Sequence, residues 1–210
     1  MHIRSDDFRD MQPIPDACAF GRPGPAGEPC VLSANRTPHL AWSDVPAATR
    51  SFVLTCIDGD VPSVGDDVNR EDRRVAASLP RVDFVHWLLA NIPRECRELA
   101  QGACGDGIVA RGKHAPVGPP GSCQGRNDYT GWFAGDADMA GDYLGYDGPC
   151  PPWNDERMHH YRFHLRALDV DHLDLRDGFT RSGLESMLHG HVLAEAVLTG
   201  TYTLNAALRR

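Results

Sequence analysis

Two runs of this 210-residue chain, Ser51–Ile57 and Asp83–Ile92, place apolar residues at consecutive rather than alternate positions. Phe52, Val53, Leu54, Thr55 and Ile57 are strand formers, and a strand that is apolar on both faces needs cover on both sides. Both runs are therefore predicted as interior strands of a sheet. His160–Asp169 instead alternates, with Tyr161, Phe163, Leu165 and Ala167 on one side and Arg162, His164 and Arg166 on the other, so one of its faces is predicted to be core. Ala196–Leu204 carries Val197, Thr199, Thr201 and Thr203 and is predicted as a closing strand, its Gly200 allowing a bulge or a close approach. One helix is predicted: Ser182-Gly183-Leu184-Glu185 has the form of a capping box, and Leu184, Met187, Leu188, His191 and Val192 follow at helical spacing.

The rest of the chain is punctuated by glycine and proline. Residues 10–30 suit an extended, surface-lying arm, assigned overall to 1–37. Residues 64–82, with Asp66, Asp67, Arg70, Glu71, Asp72, Arg73 and Arg74, are expected to form a solvated loop. Residues 102–148 hold twelve of the 21 glycines together with Tyr129, Trp132, Phe133, Tyr143 and Tyr146. A loop of that length (102–147) inside a compact unit points to a cover over a site or an interface. No break into two cores is visible, so 1–210 is read as a single domain.

Charge narrows the function classes. At a net charge of -8, with twenty Arg and one Lys scattered along the chain, no basic surface for nucleic acid is expected. The first twenty residues include Asp6, Asp7, Arg9 and Asp10, which break up any export signal, and no apolar stretch reaches the roughly 20 residues that span a bilayer. Seven Cys form no C-x-x-C pair. Reduced thiols in a cytoplasm are the simpler expectation, a Cys18–Cys30 bridge the alternative.

Three segments carry candidate chemistry. Asp58-Gly59-Asp60-Val61-Pro62-Ser63 ends a buried strand in a turn and sets two carboxylates at the mouth of the sheet; taken alone, an Asp-Gly turn bonded to nearby amides explains it as well. His86 lies within an otherwise apolar strand. A buried ring needs a partner for each nitrogen, and Asp58 or Asp60 is the expected one, which would favour a charged imidazolium suited to an anion. Two Asp and one His are a weak metal signal. Gly148-Pro149-Cys150-Pro151-Pro152-Trp153 then suits a rigid pocket wall, and His159 and Tyr161 share one side of the strand that follows, with His160 on the solvated side.

In this order, these segments resemble the phosphatidylethanolamine-binding protein family, in particular its bacterial Raf-kinase-inhibitor-like branch. Asp58–Ser63 resembles its D-P-D-A-P-S motif, Phe84-Val85-His86-Trp87 its histidine-bearing strand, and Gly148–Pro152 with His159-His160-Tyr161 its G-x-x-P-P loop and H-R-Y ending. Further matches extend the resemblance over residues 38–204. It implies a mainly β fold, a sandwich of a large central sheet on a smaller one with peripheral helices, and a pocket for phosphate-bearing head groups lined by Asp58, Asp60, His86, Gly148, Pro152, His159 and Tyr161. It also implies a homodimer. Gly59, Val61 and His160 depart from the family's Pro, Ala and Arg.

The residues favour a binding protein: no nucleophile motif and no cofactor loop is present, so neither a cofactor nor a metal is expected. A shallow, polar pocket of modest affinity is anticipated. The same Asp/His cleft suits acid–base catalysis on a small metabolite as an alternative. A third possibility, a protein-binding regulator of a kinase or protease, rests on the resemblance alone.

Overall fold

A computed structural model describes residues 1–25 and 27–209. In chain order its strands are β1 (His2–Arg4), β2 (Gln12–Pro13), β3 (Gly21–Arg22), β4 (Val31–Leu32), β5 (Leu40–Ser43), β6 (Ser51–Pro62), β7 (Arg81–Pro93), β8 (Glu98–Leu99), β9 (Cys123–Gln124), β10 (His159–Leu168) and β11 (Val192–Tyr202). Two α-helices, α1 (Tyr129–Trp132) and α2 (Arg181–Leu188), lie outside the sheets. A six-stranded sheet runs β2-β11-β10-β6-β7-β9, a three-stranded sheet β1-β5-β8, and β3 and β4 form a separate hairpin.

The doubly apolar runs become β6 and β7, both interior, as their composition requires. One face of the large sheet packs Phe52, Leu54, Trp87, Leu89 and Phe163 against Leu40, Trp42 and Leu99 of the small sheet. Trp42 meets Phe52 edge-on, with ring centroids 5.5 Å apart. The other face packs Val53, Val85, Leu88 and Ala90 under Leu184 and Leu188 of α2. Each alternating residue of β6 thus finds an apolar layer, which is why the run shows no period of two.

Local signals shifted in two places. The helix cap is Thr180, two residues before the expected Ser182; its hydroxyl, in extended backbone, accepts from Gly183 N rather than from the Glu185 amide of the expected box. The helix also stops at Leu188, because Gly190 at φ 82° turns the chain and Val192 already belongs to β11.

The arm does not lie on the surface. Ile14, Cys18, Ala19 and Phe20 are buried, Ile14 N donates to Thr201 O at 2.9 Å, and both Phe20 N and Gly21 N donate to Pro149 O at 2.9 and 3.1 Å. Isolated apolar residues between prolines have no period to read, yet each can fill a hole in a neighbouring sheet. Gly200 is the close approach that its position suggested, with no shift of strand register at it. A Cβ there would come within 2.4 Å of Ile14 Cγ1 and 3.0 Å of Phe8 Cε2. Gly200→Ala is expected to lower stability by about 2 kcal/mol through overpacking, whereas Gly131→Ala, which meets nothing within 4 Å, should leave it within about 1 kcal/mol; urea unfolding of both variants checks the pair.

Candidate functional site

A cavity of about 330 Å³ opens where β6, β7 and β10 end together, and Asp58, Phe84, His86, His159 and Tyr161 form its floor. The ladder explains the convergence. Tyr161 pairs with Asp58 across β10 and β6, and Asp58 pairs with Phe84 across β6 and β7. Two irregularities then aim the side chains. Cys56 and Ile57 pair with Trp87 and Val85, which leaves His86 as the extra residue of a bulge. Asp58 and Val61 pair with Phe84 and Val82, so a second bulge lies at Gly59-Asp60.

That second bulge separates the two carboxylates that the sequence placed together. Asp58 is buried, its Oδ1 accepting from Asp60 N at 2.8 Å. Asp60 turns outward, where its Oδ2 meets His160 Nδ1 at 2.8 Å and its Oδ1 faces Arg157 Nη1 at 3.4 Å. Of the seven expected pocket residues, Asp58, His86, Pro152, His159 and Tyr161 line the cavity, and Asp60 and Gly148 do not. Gly148 sits behind the wall: its N donates to Asn35 Oδ1 at 2.8 Å and its O accepts from Tyr129 Oη at 2.7 Å. A Cβ on it would meet Cys18 O at 2.1 Å, so glycine is required there for packing.

The two histidines have exchanged the roles expected of them. His159, not His86, holds the carboxylates: Nδ1 lies 2.6 Å from Asp58 Oδ2 and Nε2 lies 3.1 Å from Asp155 Oδ2. Asp155 in turn receives Arg81 through Nη1 at 2.5 Å and Nη2 at 3.0 Å. All four side chains are essentially excluded from solvent. Burial opposes a charge on His159, but Asp58 and Asp155 outweigh it and raise its pKa to about 9. Burial would likewise raise Asp155, yet the hydrogen bonds from His159 and Arg81 bring it down to about 2. The result is an alternating chain of charge, Arg81⁺, Asp155⁻, His159⁺, Asp58⁻, in which each ion has an opposite neighbour.

His86 makes no such pair. Its Nδ1 lies 2.7 Å from the main-chain oxygen of Asp147, so it carries the proton there, and Asp147 N donates back to His86 O at 3.1 Å. Burial pushes its pKa below the ordinary imidazole range, against the weaker opposing pull of Asp58. The ring is therefore neutral at neutral pH, with Nε2 left as an acceptor. Asp147 is itself held by Asn35 Nδ2, Asn127 Nδ2 and Lys113 Nζ at 2.8, 2.8 and 2.6 Å, so the single lysine of the chain neutralises the carboxylate of the residue whose main-chain oxygen positions His86.

Tyr161 contributes an unused group. The residue lines the cavity, and its buried hydroxyl has no hydrogen-bond partner among the described residues. Burial raises its pKa well above the ordinary phenol value, so it remains protonated.

Above this floor the walls are apolar, contrary to the polar pocket anticipated. Phe20 stacks on Tyr129 with centroids 4.7 Å apart, and Phe84 meets Tyr129 edge-on at 5.3 Å. Phe133 and the exposed Trp132 continue the wall from the glycine-rich cover. Val64 and Val68 close it from the other side, so the loop at 64–82 is solvated only in part, and Val75 within it is buried. Asp155, Arg81 and Phe20 were not found from the sequence. The one available signal was Asp155 standing four residues before His159.

The charge of His159 contributes to stability in full below its unfolded value of about 6.5 and is lost as pH rises through about 9. The interaction, counted once for the pair, amounts to about 3 kcal/mol at neutral pH. Nitrogen-15 NMR of the imidazoles is expected to show His159 doubly protonated at pH 8 and His86 as the neutral Nδ1–H tautomer at pH 7; a neutral His159 at pH 8 would contradict the charge chain.

Comparison with known proteins agrees with this architecture. The phosphatidylethanolamine-binding protein family model matches residues 4–203. The UPF0098 protein YbhB of Escherichia coli K12 is 32% identical over 203 residues, covering 97% of this chain and 100% of that protein. A UPF0098 protein of Methanothermobacter thermautotrophicus is 33% identical, covering 96% and 98%. Among solved structures, Escherichia coli YbcL, described as a member of the mammalian PEBP family, superposes with a TM-score of 0.68 at 25% identity over 96% of this chain and 97% of that one. The PEBP homologue CT736 of Chlamydia trachomatis gives 0.64 at 28% identity, covering 96% and 95%. The chain belongs to the phosphatidylethanolamine-binding protein family, in its bacterial YbhB/YbcL-type group.

Proposed function

We propose that this protein binds a small ligand through a phosphate-bearing, anionic or zwitterionic head group, with the remainder of the ligand against the aromatic wall. The observation that carries this is Tyr161, a residue of the cavity lining whose buried hydroxyl has no partner among the described residues. Leaving a buried polar group unpaired costs about 1–3 kcal/mol. A hydroxyl without a partner, on a residue that lines an open cavity, supports a donor role toward something that enters it.

The floor divides by charge. An anionic oxygen is served by Tyr161 Oη and by His86, once its Nε2 takes up a proton. A cationic end of a zwitterion is served by the Asp58 carboxylate and by the faces of Phe84 and Tyr129. Both nitrogens of His159 are committed to carboxylates, so it donates nothing to the ligand and serves to hold Asp58 in place. That commitment also weighs against acid–base catalysis by this residue, since a general base needs a nitrogen free to reach substrate. The apolar walls bury more ligand surface than a polar cleft would and favour ligands with an apolar portion.

Two consequences are measurable. Tyr161→Phe is expected to weaken binding of phosphoethanolamine by about tenfold while leaving the melting temperature equal or higher, because the lost hydroxyl has no partner in the empty fold. Calorimetry and thermal melting read the two effects; unchanged affinity would remove the central support for ligand binding at this floor. Acetate keeps a constant charge above pH 6, so its pH dependence reports His86. The neutral ring must be protonated to donate, and acetate affinity should fall by up to tenfold per unit as pH rises above the His86 range. Calorimetry in buffers of differing ionisation enthalpy should show uptake of about one proton, and no uptake would mean that the anion does not engage His86.

A further inference from the structure

Beside the cavity, two cysteines far apart in sequence face each other. Cys30 Sγ and Cys150 Sγ are 3.9 Å apart, about twice the length of a disulfide bond. The segments that carry them are fixed independently of the sulfurs. Cys30 directly precedes β4, which pairs with β3 through Gly21↔Leu32 and Arg22↔Val31. Phe20 and Gly21, at the start of that hairpin, both donate to Pro149 O, immediately before Cys150. Pro149, Pro151 and Pro152 stiffen the backbone on the other side.

Room has also been left for the sulfurs. A Cβ on Gly21 would come within 2.5 Å of Cys150 Sγ and 2.8 Å of Cys30 Sγ. Any larger residue at position 21 would therefore force the pair apart. The Cys18–Cys30 bridge considered from the sequence is not what the fold favours: Cys18 is buried in the core, and its sulfur contacts Gln101.

We propose that Cys30 and Cys150 form a redox-active dithiol that, on oxidation, staples the β3–β4 hairpin to the proline loop of the cavity wall. Cys150 lines the cavity together with Phe20 and Leu32 of the hairpin region, so the bond would lock two sides of one wall. The chemistry balances with a peroxide as oxidant. Cys30 thiolate attacks one oxygen of hydrogen peroxide, the O–O bond breaks, and hydroxide leaves to give a sulfenic acid. Cys150 then attacks that sulfur and displaces its hydroxyl, which leaves as water with the Cys150 proton. The sum is two thiols and one peroxide giving one disulfide and two waters, a two-electron oxidation of the pair.

The electrostatics assign the two roles. The hydrogen bond with Cys150 brings the Cys30 thiol down to about 7 against the opposing effect of burial, while the same contact holds Cys150 well above the usual thiol range. Burial moves the other thiols the opposite way from Cys30, Cys18 and Cys104 to about 12 and Cys123 to about 11. Cys30 is the attacking thiolate and Cys150 the resolving thiol.

The test needs no knowledge of the ligand, so it stands or falls separately from the function proposed above. Wild-type protein is treated with hydrogen peroxide or oxidised glutathione, alkylated under denaturing conditions and mapped by mass spectrometry. The expected result is loss of two of the seven alkylatable thiols, a peptide joining Cys30 to Cys150 that dithiothreitol releases, and a melting temperature raised by about 5–10 °C, since a crosslink over so long a loop restricts the unfolded chain strongly. Cys30→Ser should abolish the crosslink and the thermal shift together. Gly21→Ala, which retains both thiols, should slow crosslinking at least tenfold. Full alkylation of Cys30 and Cys150 after oxidation, or crosslinks joining other pairs, would overturn the proposal. The wild-type map decides the matter even if a variant fails to fold.

Discussion

The buried alternation of Arg81, Asp155, His159 and Asp58 is the constraint on which the cavity depends. These residues come from β7, the loop before β10, β10 itself and β6, so one run of contacts ties together the strand ends that form the floor. Removing His159 would leave Asp58, and removing Asp155 would leave Arg81, as an unpaired buried charge, a cost of several kcal/mol. The arrangement therefore fixes where the strands end relative to one another more strictly than apolar packing does. Phe163 or Leu165 would tolerate a small slide in register that hydrogen bonds of 2.6 and 3.1 Å to two faces of one imidazole would not.

A second, separate polar cluster does the same for the opposite side. Asp147, with its two asparagines and Lys113, is buried beneath the glycine-rich cover, and it presents its main-chain carbonyl to His86. The cover is thus anchored by charge near its end and by aromatic stacking of Tyr129 on Phe20 at its middle. This explains how so glycine-rich a segment keeps a defined course. Glycine gives it no side chains to pack, and the fixed points lie at Lys113, Asn127, Tyr129 and Asp147 instead.

The sheet was legible in the sequence because its period is local. Double-sided apolarity in Phe52–Ile57 and Val85–Ile92, and alternation in Tyr161–Ala167, report burial without reference to any other residue, and all three became interior strands. The convergence of Asp58, His86, His159 and Tyr161 was legible too, through the motifs and the strand ends that bear them. Partnership was not. Which histidine meets which carboxylate is decided by two one-residue bulges, at His86 and at Gly59-Asp60, and nothing in a run of residue types marks a bulge except a glycine. Similarly, Asp66 to Arg74 reads as solvated because its charges outnumber its apolar residues, although Val68 is half-buried at the cavity and Val75 is fully buried. The arm reads as surface-lying for a related reason: its buried Ile14 stands singly between Pro13 and Pro15, and the run Ala17–Phe20 is too short to show a period.

The bulges also account for a division of labour between the two histidines that the fold would otherwise have no means to make. An imidazole charged at neutral pH is needed where two carboxylates are buried together, and a neutral one suits a ring that faces only a peptide carbonyl. Both residues are buried, so burial alone would make both neutral. What separates them is whether a carboxylate or a peptide carbonyl stands opposite the ring. His159 faces Asp58 and Asp155 and remains charged; His86, displaced by its bulge toward Asp147 O, meets only a dipole and loses its charge. Holding Asp58 against His159 leaves the pull of that carboxylate on His86 too weak to offset burial, so one carboxylate charges one ring and leaves the other neutral.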